Sequence, residues 1–280
     1  MAPTTKQALY ELMEGAVDNN PRTHLGASSI GDSCARKLWY AFRWIHEPFH
    51  EGRILRLFRR GQVEEYYVVS DLNKLEGVEV RAVDPATGKQ YRFTDPEMPG
   101  FGGSVDGIAF NLPEMPGQWI GLEIKTHNTK NFAKLKKHGV QSYPRHWFQC
   151  QSYMCWSGLP GWLYIAVNKD NDELYTELVL PDEADQDYAR ATAREVLFAT
   201  EPPPKISQRK DWFECKFCDF YRICQFDEPH RENCRNCSQV NYDGAADLWT
   251  CTTLNKSLNA SEQNDGCSQY AANPVMKILG

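Results

Sequence analysis

Residues 119–128 read WIGLEIKTHN, an apolar run interrupted by a carboxylate and an ammonium two positions apart. So short and apolar a run predicts a buried strand, in which successive side chains point to opposite faces. Glu123 and Lys125 then share one face, while Leu122, Ile124 and Thr126 take the other. The two charges are either an ordinary ion pair or part of a site that needs both groups. The stretch alone does not decide between them.

The chain of 280 residues is 41% hydrophobic and 24% charged, ordinary values for a globular protein with one sizeable core or a core plus a small appendage. No stretch has the apolar length of a membrane span. The opening MAPTTKQALYELMEG lacks the charged-then-apolar pattern of a secretory signal, so a cytoplasmic location is expected. In a reducing compartment the ten cysteines read as metal ligands before disulfides. A net charge of −6 argues against passive coating of nucleic acid, yet suits carboxylates that hold divalent cations.

Around the opening stretch, the patterns predict an α/β chain. Upstream, GVEVRAVDPATGKQYRFTD reads as a hairpin and GFGGSVDGIAF as a strand ahead of a Pro/Gly turn. Downstream, SYPRHWFQCQSYMCWSGL suits a helix, GWLYIAVNKDNDELYTELVLP a second hairpin, and EADQDYARATAREVLFAT an amphipathic helix ended by EPPP. Residues 5–20 have helical apolar spacing at Leu9, Leu12, Met13 and Val17, and two further helices are expected at CARKLWYAFRW and at 55–75. From about Asp211 cysteines crowd in and aliphatics thin out, which predicts irregular structure held by something other than an apolar core.

Asp106, a gap, then Glu123-x-Lys125 is the minimal pattern of a metal-dependent phosphodiesterase site. Hard divalent cations need converging oxygen ligands, and a lysine beside them can orient the attacking water and offset developing charge. A Glu-x-Lys triplet alone arises about once by chance in a chain of this size, and Glu214–Lys216 is another. Three neighbours add weight. Glu65, on a predicted helix four residues after Gly61, can supply a further carboxylate. Gln149 and Tyr153 lie at i and i+4 on one helix face, placed to brace the lysine or touch a phosphate. Residues 125–147 hold five Lys and one Arg but no acid, interleaved with Phe132, Tyr143, His146 and Trp147, which suits single-stranded nucleic acid or, more plainly, a solvated face.

Cys215, Cys218 and Cys224 form a C-x2-C-x5-C cluster, and Cys34, far upstream at the start of a helix, is the natural fourth thiol. Zinc or an iron–sulfur cluster would accept that set. Cys150 and Cys155 read as small core residues. Near the C-terminus Cys234, Cys237, Cys251 and Cys267 give a C-x2-C…C…C set for which structural Zn²⁺ is the economical explanation, with His230 an alternative ligand.

Taken in order, SSIGDSCARKLWYAFRW, RRGQVEEYY, GSVDGI, LEIKT, QCQSY and CKFCDFYRIC resemble the PD-(D/E)XK nucleases of the RecB type. The likeness is to those with an iron–sulfur staple, such as the AddB nuclease domain, CRISPR-associated RecB-like exonucleases and related phage exonucleases, and covers roughly residues 25–226. It implies a restriction-endonuclease-like core, a central mixed sheet flanked by helices. It also implies Mg²⁺ or Mn²⁺ on Asp106, Glu123 and the Ile124 carbonyl, Lys125 as catalytic lysine, Gln149 and Tyr153 as a Q-x-x-x-Y motif, and a [4Fe–4S] cluster on Cys34, Cys215, Cys218 and Cys224. Glu65 stands where RecB-type members usually carry His, as in phage λ-exonuclease-like members. The resulting expectation is a nuclease domain at 1–226 and a Cys-rich module at 227–280, acting as a DNA exonuclease on single strands or DNA ends in phage or bacterial recombination, repair or degradation. What the module touches is open, with DNA or a protein partner both reasonable. A non-hydrolytic DNA-binding or assembly subunit, for recombination or spacer acquisition, is the alternative.

Overall fold

The alternating run at 119–127 forms a nine-residue strand in the computed structural model, which describes residues 3–16, 21–46 and 49–273. Along the chain the helices are α1 (Thr5–Gly15), α2 (Ala35–Phe42), α3 (Gly52–Leu72), α4 (Thr129–His138), α5 (Pro144–Ser157), α6 (Glu183–Phe198), α7 (Phe213–Lys216), α8 (Tyr221–Phe226) and α9 (Ala260–Asp265). The strands are β1 (Leu25–Gly26), β2 (Glu79–Arg81), β3 (Arg92–Thr94), β4 (Phe101–Ser104), β5 (Gly107–Phe110), β6 (Trp119–His127), β7 (Trp162–Asn168), β8 (Leu174–Val179), β9 (Val240–Asp243), β10 (Leu248–Cys251) and β11 (Lys256–Ser257). Of the residues that predict the first helix, Val17 lies outside the described residues. The chain divides into two compact units interleaved in sequence. Met1–Asn20, Phe49–Phe93 and Gly103–Gln186 make the first, and Pro21–Pro48, Thr94–Gly102 and Asp187–Gly280 the second.

The first unit is built on a five-stranded mixed sheet of order β2-β5-β6-β7-β8, flanked by helices. Only β6 and β7 run parallel; the other neighbours are antiparallel. A parallel pair needs a crossover rather than a tight turn, and α4 and α5 supply it. Leu122 and Ile124 enter a core with Ala109, Leu112, Ile120, Leu163 and Ile165, and Val68, Val69 and Leu72 of α3 pack against it. A fully buried aliphatic such as Leu122 contributes about 1.5–3 kcal/mol, so the register that sends Leu122 inward is firmly set. That same register commits Glu123 and Lys125 to the opposite face.

The GVEVRAVDPATGKQYRFTD hairpin forms only in part. Val83 and Gln90 make an isolated bridge across the turn, but β2 takes β5 as its partner, with Val80 opposite Ala109. Pairing with β5 brings Val80 against the apolar core, a gain that a free-standing ribbon with β3 would not provide.

In the second unit, β1 runs parallel to β4, with Leu25 opposite Phe101. The stretch beyond Asp211 departs from the expected irregular structure. β9, β10 and β11 form an antiparallel sheet, and Trp249 is only 2% exposed. The core here is aromatic and cationic in place of aliphatic. The Arg235 guanidinium stacks 3.8 Å from the Trp44 ring centroid and 4.7 Å from that of Trp249. Its N–H groups donate to the Phe42 and Thr23 carbonyls and to Gln263. Stacking satisfies the flat faces of the cation and hydrogen bonds satisfy its edge, so it can be buried with the charge of Asp247 nearby but without a direct ion pair.

Gly121 matters to the position of β6. A methyl group there would collide with the Trp162 ring, and Trp162 is fully buried. We expect Gly121→Ala to destabilise the protein by about 1–3 kcal/mol through overpacking, read as a lowered midpoint in urea. An unchanged midpoint would show that Trp162 can move aside.

Candidate functional site

β5 and β6 pair from Phe110 opposite Trp119 to Gly107 opposite Leu122. One step further the ladder with β5 ends, and the Asp106 side chain takes over: its Oδ2 accepts from the Ile124 N–H at 2.7 Å. The end of the strand pairing thereby delivers Asp106 to the start of the Glu123–Lys125 segment. Glu123 is fully buried and its side chain contacts the Lys125 ammonium. Apart from that ion pair, neither Glu123 oxygen meets a hydrogen-bond donor. Glu65 comes from α3 and is held by Gln90, whose Nε2 donates to Oε1 at 2.6 Å.

The electrostatics show that these groups form one cluster. Burial, then the charge of Asp106, push Glu65 up to about 7, against the pull of Lys125 and Gln90. Burial pushes Glu123 up to about 8, with Lys125 opposing and Asp106 and Glu65 reinforcing. Asp106 is raised by burial and held back by Lys125 and the Ile124 N–H. For Lys125, burial works downward, but Glu123 and Asp106 outweigh it and hold the ammonium above its usual value. Three carboxyls crowded around one cation are short of positive charge.

Tyr153 and Gln149 lie on α5 and are buried. The Tyr153 hydroxyl donates to the Ser104 carbonyl at 2.7 Å, and Gln149 reaches that hydroxyl at 3.4 Å. Gln149 Oε1 has no hydrogen-bond partner. The six side chains singled out in the sequence thus belong to one unit, with Glu65, Asp106, Glu123 and Lys125 electrostatically coupled and Tyr153 coupled to the last three. In the basic track the cations are partly occupied: Lys136 pairs with Glu173, and Lys134 bonds the Ser142 carbonyl over the Tyr143 ring.

Sequence reasoning missed Gln90, which carries no motif because its partner comes from a distant helix. It also missed a buried network on the Glu123 face. Tyr164 lies opposite Glu123 in the ladder, and its hydroxyl meets His127 at 2.9 Å and His146 at 2.8 Å. A hydroxyl has one proton, so it donates to one imidazole and accepts from the other. Burial and the nearby Lys125 lower both histidines, His146 to about 3, leaving both neutral. His127 was within reach of the alternation rule, two residues beyond Lys125.

In the second unit Cys34 caps α2, and Cys215, Cys218 and Cys224 lie on and around α7 and α8. Burial raises Cys34 and lifts Cys218 to about 11. Cys34 feels Cys224, Cys218 feels Cys34, and Cys215 feels Cys224, so the four thiols share one neighbourhood. Cys234 is pushed up to about 11 by burial and by Cys267, Cys237 and Cys251. All of these cysteines are free thiols. Cys150 is buried as expected, and Cys155 is half-buried. His230 bonds the Tyr270 hydroxyl. Among the described residues, no three His, Cys, Asp or Glu side chains are drawn tightly enough to close on an ion as they stand, and no helix is long and apolar enough to cross a membrane.

The carboxylate cluster fixes the sign of a pH effect. Glu65 and Glu123 hold their protons to higher pH in the folded chain than the usual carboxyl value of about 4.3. The folded state therefore binds more protons, and stability falls as pH rises from about 4.3 towards 8. We expect the chelator-treated protein to lose denaturant resistance between about pH 5 and pH 8, and Glu123→Gln to flatten that slope. An equally steep slope in the variant would place the titration elsewhere.

No family model matches the chain, and no curated protein does. Solved structures that it resembles include SSO0001, at a TM-score of 0.44 and 17% identity over 80% of this chain and 94% of that one. Another is the alkaline exonuclease LHK-Exo from Laribacter hongkongensis, at 0.46 and 18% over 66% of this chain and 92% of that one. LHK-Exo in complex with dAMP gives 0.46 and 17% over 68% and 90%.

Proposed function

We propose that the chain is a divalent-metal-dependent deoxyribonuclease that hydrolyses phosphodiester bonds from DNA ends, in recombination, repair or degradation of phage or bacterial DNA. The observation that carries this reading is the electrostatic coupling of Glu65, Asp106 and Glu123 with Lys125, where a buried carboxylate has no hydrogen-bond donor beyond the Lys125 ammonium. All-oxygen donors in an electron-rich cluster suit a hard cation such as Mg²⁺ or Mn²⁺. Glu65, Asp106, Glu123 and the Ile124 carbonyl would hold it. When bound, such an ion polarises the scissile phosphate and acidifies its water.

The chain's own groups do the rest. Asp106 is fixed by the Ile124 N–H, and Glu65 by Gln90. Lys125, held protonated by Glu123 and Asp106, offsets negative charge that grows on the phosphoryl oxygens and orients the attacking water. Tyr153, tied to the Ser104 carbonyl, keeps α5 seated over this face. The shared neighbourhood of Cys34, Cys215, Cys218 and Cys224 supports a [4Fe–4S] cluster there, acting as a structural staple that joins α2 to the cysteine-bearing turns.

The test is incubation of anaerobically prepared protein with linear and circular DNA, with and without Mn²⁺. Loss of linear DNA alone, only with metal, is expected. Lys125→Ala and Glu123→Gln should each lower the rate by at least about 10²–10³-fold while leaving the circular dichroism unchanged. A Lys125→Ala protein as active as its parent contradicts the assigned site. Metal-independent DNA binding without cleavage would instead favour an assembly subunit.

A further inference from the structure

Four cysteines outside the proposed hydrolytic site remain to be explained, and the fold draws them together from three pieces of backbone. Cys234 opens the 3-10 turn Cys234–Asn236, and Cys237 follows it. Cys251 ends β10, where it lies opposite Val240 in the ladder. Cys267 follows Gly266, whose φ of 67° turns the chain sharply after α9, a conformation open to glycine at little cost. The four line one cavity, together with Lys256 and Glu262.

We infer that Cys234, Cys237, Cys251 and Cys267 form a tetrahedral Zn²⁺ site that locks the turn, the β9–β11 sheet and α9 into one piece. The donor set is all sulfur, which selects a soft-tolerant ion of tetrahedral preference over Mg²⁺ or Ca²⁺. Binding releases four thiol protons and leaves Zn(Cys)₄ with a net charge of −2. Groups suited to that charge are already in place. The Leu254 N–H points at Cys251 Sγ at 3.4 Å. Lys256 lies within electrostatic reach of Cys251 and Cys234. Backbone N–H groups and nearby cations stabilise thiolates without displacing the metal.

The consequence reaches beyond the loop. Arg235 and Asn233 on the same turn bond the backbone of Phe42, Trp44 and Thr23. Fixing the turn therefore fixes the aromatic cage that anchors this sheet to the region around α2. The Cys-rich segment is then a structural buttress of its unit.

Metal content of the full-length protein, measured without DNA, tests this independently of the hydrolytic reading. One equivalent of zinc should survive gel filtration in chelator, be lost in the double variant Cys251→Ser/Cys267→Ser, and persist in Cys215→Ser. Because the double variant can fail to fold, wild-type protein is also titrated with an organomercurial, and zinc should leave in step with four thiols. Cobalt-grown protein should show the intense visible bands of a four-sulfur tetrahedral site. Zinc retained by the double variant, a zinc-free parent with four freely titrating thiols, or two disulfides would each overturn the inference.

Discussion

Where β5 stops pairing with β6, one backbone N–H is left to find a partner, and Asp106 provides it. An unpaired N–H at the buried Ile124 would cost about 1–3 kcal/mol, so the carboxylate is held where the fold needs it. That single hydrogen bond places a second acid against Glu123, whose burial is fixed by the inward packing of Leu122 and Ile124. The apolar face of β6 and the charged face are two consequences of one register. A slip by one residue would turn Glu123 and Lys125 into the aliphatic core and Leu122 out of it, so stability protects the geometry of the site.

The cluster that results is unfavourable by itself. Glu65 and Glu123 are raised by burial and by neighbouring carboxylates, and the one ammonium only partly relieves them. Such a local conflict is a frequent mark of a functional site, because stability alone would not select it. The contrast with Asp95 is instructive. That carboxylate is equally inaccessible, yet Arg190 and the backbone N–H groups of Glu97 and Met98 satisfy it and keep its pKa low. Asp95 is a finished structural ion pair; Glu123 is not.

Much of this was legible in the sequence. Alternation in WIGLEIKTHN gave the strand and the shared face of Glu123 and Lys125, and the spacing of Gln149 and Tyr153 gave their common side of α5. Three features were not legible. Gln90 reaches Glu65 only through tertiary proximity. The partner of β2 was decided by burial of Val80 against the core, which local turn signals do not encode. The segment after Asp211 looked too poor in aliphatics to pack, because Arg235 and Arg43 stacked on Trp249 form a core that a count of aliphatic residues misses.

Whether the three acids share one cation is the central claim, and calorimetric titration with Mn²⁺ addresses it most directly. The parent protein should bind with an affinity that Asp106→Asn and Glu65→Gln each weaken sharply, since each removes one ligand from a common ion. Equal Mn²⁺ binding by parent and variants would contradict a shared site.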